Sequence, residues 1–275
     1  MFDLHVHAAP DIWPRLADDQ QILRWYAEAG FSGCVLKGHY DATMGRAVAA
    51  SAGTGLQVYG GLALNQHVGG INPAAVAAAL AMGARVIWMP TTDAHTQRAA
   101  GLPRLCSQRP GLPGTTYAIP PIDWSADHRV RQSLTLIAEA DAVLATGHLS
   151  VPEVGWLIGE ARQAGIPRLL LTHPTYTVPA MNIGQAKELT SQGCYAEITA
   201  SQLLTQPDCD APRLASLITA VGYHRVVLSS DAGQPGNPTP PQALHLLIDA
   251  LAAQGLDRKA LLACASEIPE RLVTP

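Results

Sequence analysis

Charge is scarce in this chain: Lys, Arg, Asp and Glu make up 15% of 275 residues, the net charge is −4, and no run of lysines or arginines occurs. The electrostatic footprint of a nucleic-acid or anionic-membrane binder is therefore missing. No apolar stretch approaches the ~20 residues of a membrane span, and Met1-Phe2-Asp3-Leu4-His5 is not a basic-then-apolar leader, so cytoplasmic residence is the expectation. Cysteines are few and odd in number. Cys34, Cys106, Cys194, Cys209 and Cys264 show no Cys-x-x-Cys spacing, so neither a disulfide framework nor a structural zinc site is indicated, and buried thiols are expected. No Gly-x-Gly-x-x-Gly follows the first apolar run, which removes support for a bound dinucleotide. The partner that remains is a small molecule.

What is present is core-forming: 48% of residues are hydrophobic. Eight short apolar runs recur between helix-like stretches: Phe2 to His7, Gly33 to His39, Gln57 to Leu64, Arg85 to Met89, Ala142 to His148, Arg168 to His173, Cys194 to Thr199 and Arg225 to Asp231. Such runs suit parallel strands covered on both faces. Helical patterns lie between them, as at Asp18 to Ala29, Pro73 to Met82, Pro152 to Ala164 and Ile183 to Gln192, with Gly30, Gly83, Gly165 and Gly193 as stop signals. Eight β-then-α units predict an α/β chain folded as a (β/α)8 TIM barrel, one domain over residues 1–275. One connection is out of proportion, Pro90 to Trp124, rich in Pro and Gly. It leaves the C-terminal end of the fourth strand, so it is expected over the active-site face, as a lid or as an oligomer contact.

His5 and His7 are two apart on the first run, so both side chains share one face. Alone, such a pair reads equally as inward polar side chains satisfied by hydrogen bonds. The pattern recurs, however: His148 closes the fifth run, His173 the sixth and Asp231 the eighth, which brings all of them to one rim. Seven of ten histidines (His5, His7, His39, His67, His95, His148 and His173) fall at or just past a strand end, whereas His128, His224 and His245 do not and receive no role.

This set resembles the amidohydrolase superfamily, which pairs His-x-His on strand one with histidines ending strands five and six and an aspartate ending strand eight. The stretch Ser266-Glu267-Ile268-Pro269-Glu270-Arg271-Leu272 also looks like the C-terminal helix of many members. The resemblance implies a metal-dependent hydrolase acting on a small amide, lactone, ester or phosphoester. It implies that His5, His7 and Asp231 hold one divalent ion and that His148 and His173 hold a second or contact substrate. Asp231 and His173 are then catalytic, with Asp231 moving protons. Zinc suits nitrogen donors with a carboxylate, though manganese, iron, cobalt or nickel fit the same donors.

The sequence departs from that pattern at strand four, where Met89-Pro90-Thr91-Thr92-Asp93 offers neither the bridging lysine nor the glutamate of binuclear members. Lys37, two before His39 on the second run, is the candidate substitute, as a carboxylated lysine and metal ligand. The competing reading is an ammonium paired with Glu197 or with a substrate anion. Glu197 itself is expected at the cavity as ligand, base or support for a ligand. Arg15, His39, Tyr40, Arg46, Asn65, His67, His95, Arg98 and Tyr117 are candidates for reading the substrate. Two other reactions stay open, decarboxylation on a single ion and Schiff-base chemistry at Lys37. So does the choice between monomer and homo-oligomer.

Overall fold

The structure is a computed structural model that describes residues 1–109 and 111–274. Eight strands, β1 (Phe2–Val6), β2 (Gly33–Leu36), β3 (Gln57–Ala63), β4 (Val86–Trp88), β5 (Val143–Ala145), β6 (Leu169–Leu171), β7 (Tyr195–Thr199) and β8 (Val226–Ser229), form one parallel sheet in sequence order. Nearly every strand residue is buried, as expected of a sheet covered on both faces. Closure comes from a parallel bridge between Val6 and Ala232, with His7 N donating to Ala232 O at 2.9 Å and Asp231 N to His5 O at 2.8 Å. The result is a (β/α)8 TIM barrel, and its closing seam runs through the backbone of the residues expected to carry chemistry.

The helices are α1 (Asp19–Glu28), α2 (Met44–Ser51), α3 (Pro73–Ala81), α4 (His95–Ala99), α5 (Leu105–Gln108), α6 (Asp127–Glu139), α7 (Val151–Gln163), α8 (Ile183–Ser191), α9 (Ala200–Thr205), α10 (Ala211–Val221), α11 (Pro240–Ala252), α12 (Arg258–Cys264) and α13 (Glu267–Val273). Their starts follow from local chemistry. Asp18 caps α1 by accepting from Gln21 N, Asn72 caps α3 just before Pro73, and Asn182 with Gln185 boxes the start of α8. None of the described helices is long and apolar enough to cross a membrane.

Strands end earlier than the apolar runs suggest. β5 stops at Ala145, three residues before His148, and β2 stops at Leu36, one before Lys37. The rim residues sit on turns instead. Gly147 shows why: its φ is +59° and a Cβ there would lie 2.3 Å from Met89 O, so only glycine carries the backbone past the β4 exit to His148. Gly233 plays the same part after Asp231, with φ +121° and a Cβ position 2.0 Å from His7 O.

The long segment after β4 folds back over the barrel rim. It carries α4 and α5, and Ala94 pairs with Tyr117. Glu153, fully buried near the start of α7, fastens it: Oε1 accepts from Ile119 N at 2.8 Å, and Oε2 accepts from Ser150 N at 2.8 Å and meets His95 Nε2 at 2.7 Å. Residue 110, inside this segment, lies outside the described residues.

Candidate metal centre

His5 Nε2, His7 Nε2 and Asp231 Oδ1 form a near-equilateral triangle, with separations of 3.3 Å between the imidazoles and 3.1 and 3.2 Å from each to the carboxylate. It is the one group of three such donors within 4.8 Å of one another among the described residues. β1 supplies the backbone for His5, and the turn beyond β8 supplies Asp231, held at φ +48°. That left-handed conformation costs about 1–3 kcal/mol in a non-glycine residue and aims the carboxylate at the histidines. His173, at φ +26°, is turned off the end of β6 in the same way.

The surroundings orient these donors. Glu197, fully buried on β7, places Oε1 3.0 Å from His5 Nδ1 and accepts there from Ser229 Oγ at 2.7 Å. His5 Nδ1–H therefore points at Glu197, and Nε2 faces the triangle. Gln97, on α4, donates from its amide to Pro103 O at 3.1 Å and turns Oε1 to His148 Nδ1 at 2.9 Å. His148 is so held with Nε2 toward the cavity. Thr96 Oγ1 donates to the carbonyl of His148 from the same helix. His148 and His173 stand together, ring centroids 5.1 Å apart, and His173 lies 6.2 Å from His5.

Electrostatics separates these groups. Burial disfavours charge on His5, yet Asp231 and Glu197 outweigh it and raise its pKa to about 9. Burial dominates elsewhere: His7 and His148 fall well below the usual histidine range and His173 to about 4. Burial also opposes ionisation of Asp231, but the neighbouring His5 charge and hydrogen bonds from His5 and His7 hold it well below the usual carboxylate range. A metal requires neutral imidazoles and an ionised carboxylate, so His7, His148, His173 and Asp231 are held in the ligating form while His5 must first lose a proton.

The donor set fits a divalent ion. Tetrahedral zinc with bonds of about 2.0–2.1 Å spaces its ligands by about 3.3 Å, which the triangle matches. His173 Nδ1 is buried without a hydrogen-bond partner, a costly state that a ligand or ordered water relieves. The cavity beside these residues measures about 320 Å³ and is lined by His7, Lys37, His39, His148, His173 and Asp231, with apolar walls from Trp13 and Leu102. That volume suits a small molecule. Thr92, Gln97, Leu102 and Pro103 bring the segment after β4 into its wall.

Other candidates sort clearly. Lys37, buried beside the triangle, has Nζ 3.0 Å from His5 Nε2 and 5.3 Å from the Trp88 ring centre. Burial lowers its pKa to about 8 against the pull of Asp231 and Glu197. It does not pair with Glu197, as one reading expected: that carboxylate is spent on His5, Ser229 and His173 N. Arg46 does not face the cavity. It clamps Asp19 and Asp41 and the carbonyls of Ala8 and Pro10, because the loops after β1 and β2 and the start of α1 bring those acceptors to α2. His95 is held by Glu153, His67 is exposed and packs edge-on to Tyr40, and Tyr40 donates to Asp93 at 2.8 Å. Asn65 is structural, bonded to His39 O, Thr91 and Asp93 N; Arg98 is exposed, and Tyr117 packs over Gly70. Gln97 and Thr91 carry no signal in the sequence: α4 is too short for a periodic pattern, and Thr91 lies on the turn after β4.

Among solved structures, an amidohydrolase from Pseudomonas aeruginosa is 13% identical with a TM-score of 0.63, covering 99% of this chain and 94% of that one. A lactonase from Listeria monocytogenes is 13% identical with a TM-score of 0.64 and coverage of 99% and 94%. An organophosphorus hydrolase from Deinococcus radiodurans is 15% identical with a TM-score of 0.60 and coverage of 99% and 92%. These likenesses show that the barrel fold is shared over nearly the whole chain. No curated protein matches the sequence. Residues 1–197, which include every candidate ligand except Asp231, match the model described as Family of unknown function (DUF6282), and the chain belongs to that family.

Proposed function

We propose that this chain is a cytoplasmic metal-dependent hydrolase that cleaves a small amide, lactone, ester or phosphoester at a mono- or binuclear centre. The observation that carries this reading is the triangle of His5, His7 and Asp231, donors from opposite ends of the sequence brought within 3.3 Å with His5 oriented by a buried carboxylate. His5, His7 and Asp231 would hold one ion, preferably zinc; His148, His173 and a carboxylated Lys37 would complete a second. When bound, a divalent ion supplies Lewis acidity and nucleophilic water at neutral pH. The chain supplies the rest. Asp231, ionised and 18% exposed at the cavity, accepts the proton of the attacking water and returns it to the leaving amine or oxygen. His148 and His173, kept neutral by burial, bind without competing protons.

A second reading, a mononuclear decarboxylase, draws on the single compact donor group among the described residues and on the lack of a bridging lysine or glutamate after β4. Metal analysis of gently purified protein tests the metal dependence that both readings share, and one equivalent with Lys37 unmodified would favour the second. The hydrolase reading expects close to one or two equivalents and activity lost to chelators. Less than about one-tenth equivalent, with turnover that survives chelation, would falsify it.

A further inference from the structure

Three side chains in the cavity wall beside His7 offer hydrogen-bond donors. His39 leads them. Asn65 Oδ1 accepts from Thr91 N at 2.9 Å and Asp93 N at 3.2 Å, which fixes the amide so that Nδ2 donates to Thr91 Oγ1 at 2.6 Å. The Thr91 hydroxyl is fully buried, and its remaining contact is His39 Nδ1 at 2.9 Å. If His39 donated there, the hydroxyl proton would have no acceptor among the described residues; if Thr91 donates, every group is satisfied. His39 Nδ1 is thus an acceptor, and its proton sits on Nε2, which has no hydrogen-bond partner among the described residues. A charged His39 would carry that Nε2 proton as well.

Two further donors flank it. Arg15 spends Nε and one terminal nitrogen on Asp11 Oδ2, at 2.8 and 2.7 Å, and that terminal nitrogen also meets His7 Nδ1 at 3.3 Å. The other terminal nitrogen has no partner among the described residues. Trp13 Nε1 is buried and unpartnered, and the Trp13 ring stands edge-on to His39 at 5.6 Å. All three side chains line the cavity, and His39 stacks on His7 at 4.9 Å. Of the carboxylates nearby, Asp11 is consumed by Arg15 and by Trp13 N, and Asp231 turns Oδ1 to His5 and His7.

We propose that His39, Arg15 and Trp13 form an oxyanion subsite that holds a carboxylate or phosphoryl group of the substrate, with His39 acting as a donor and not as a metal ligand. The identification of that ligand as substrate rests on the hydrolase reading; the subsite itself does not. Its chemistry is that of clustered N–H donors, one of them on a guanidinium, which an oxygen-rich anion can engage together.

The test uses the full-length ¹⁵N-labelled chain, both zinc-loaded and stripped by chelation. Histidine side-chain ¹⁵N–¹H spectra are expected to show His39 as the Nε2–H tautomer. Inorganic phosphate and, separately, acetate are then titrated. One of them is expected to shift the His39 Nε2–H signal, phosphate alone marking a phosphoryl group and acetate alone a carboxylate. His39→Phe and Arg15→Met are each expected to weaken that binding at least tenfold, with the zinc content of His39→Phe unchanged. Thr91→Val keeps the imidazole but removes the hydroxyl, so it should loosen the tautomer and weaken the anion in the same direction even if His39→Phe folds poorly. An Nδ1–H tautomer, a signal moved by neither anion, or loss of zinc in His39→Phe overturns the proposal. Because the stripped chain reports on the anion alone, failure to bind zinc would remove the proposed reaction without touching this result.

Discussion

Glu197 Oε1 lies 3.0 Å from His5 Nδ1 and leaves His5 Nε2 as the atom turned toward His7 and Asp231. A carboxylate in that position fixes the tautomer and ring plane of a ligand and raises its basicity; removing such a partner costs about 10–100-fold in metal affinity. Glu197→Gln keeps the shape and an acceptor but deletes the charge, so we expect about a tenfold loss of zinc affinity in a chelator competition, with the fold intact by circular dichroism. Unchanged affinity would mean that His5 does not ligate through Nε2.

Metal uptake should depend on pH in one direction. In the metal-free chain His5 holds its second proton up to about pH 9, since Asp231 and Glu197 outweigh the burial that opposes it. That proton must leave before Nε2 can ligate, so apparent zinc affinity should rise about tenfold per pH unit from neutrality and level off above about 9. Lys37, discharging near 8, removes a neighbouring positive charge and acts in the same sense. Competition titrations between pH 6.5 and 9.5, paired with proton-release measurements, check both slope and plateau. A flat profile above pH 7 would place His5 in its neutral form and contradict the electrostatic account.

Much of this architecture was legible because burial on both faces writes itself into a sequence. All eight apolar runs contain strands, and the helices expected from Asp18, Pro73 and Ile183 begin there or one residue later. The runs overshot at their C-terminal ends because rim residues stay buried after the ladder stops, so composition continues where hydrogen bonding does not; Gly147 before His148 marks the change. Residues whose roles depend on distant partners were not legible. Arg46 looked like a substrate-reading loop cation, and its fate is set by Asp19, 27 positions earlier. Glu197 was open between ligand, base and support until its distance to His5 was known.

Gln97 illustrates that second class and supplies the remaining prediction. Its amide is fixed by Pro103 O, so Oε1 is the atom that meets His148 Nδ1, and His148 turns Nε2 to the cavity for that reason. Gln97→Leu keeps much of the volume and removes the acceptor, leaving the imidazole free to rotate or change tautomer. The His5, His7 and Asp231 triangle does not touch Gln97, so the first zinc equivalent should bind as before. What should fall, by about tenfold or more, is the function assigned to His148: the second equivalent if two ions bind, or turnover at full zinc occupancy if one does. Gln97→Glu, which retains an acceptor, should recover part of the loss. If Gln97→Leu matches the wild type in both zinc stoichiometry and turnover, His148 is neither ligand nor substrate contact, and the centre reduces to the three residues at the barrel seam.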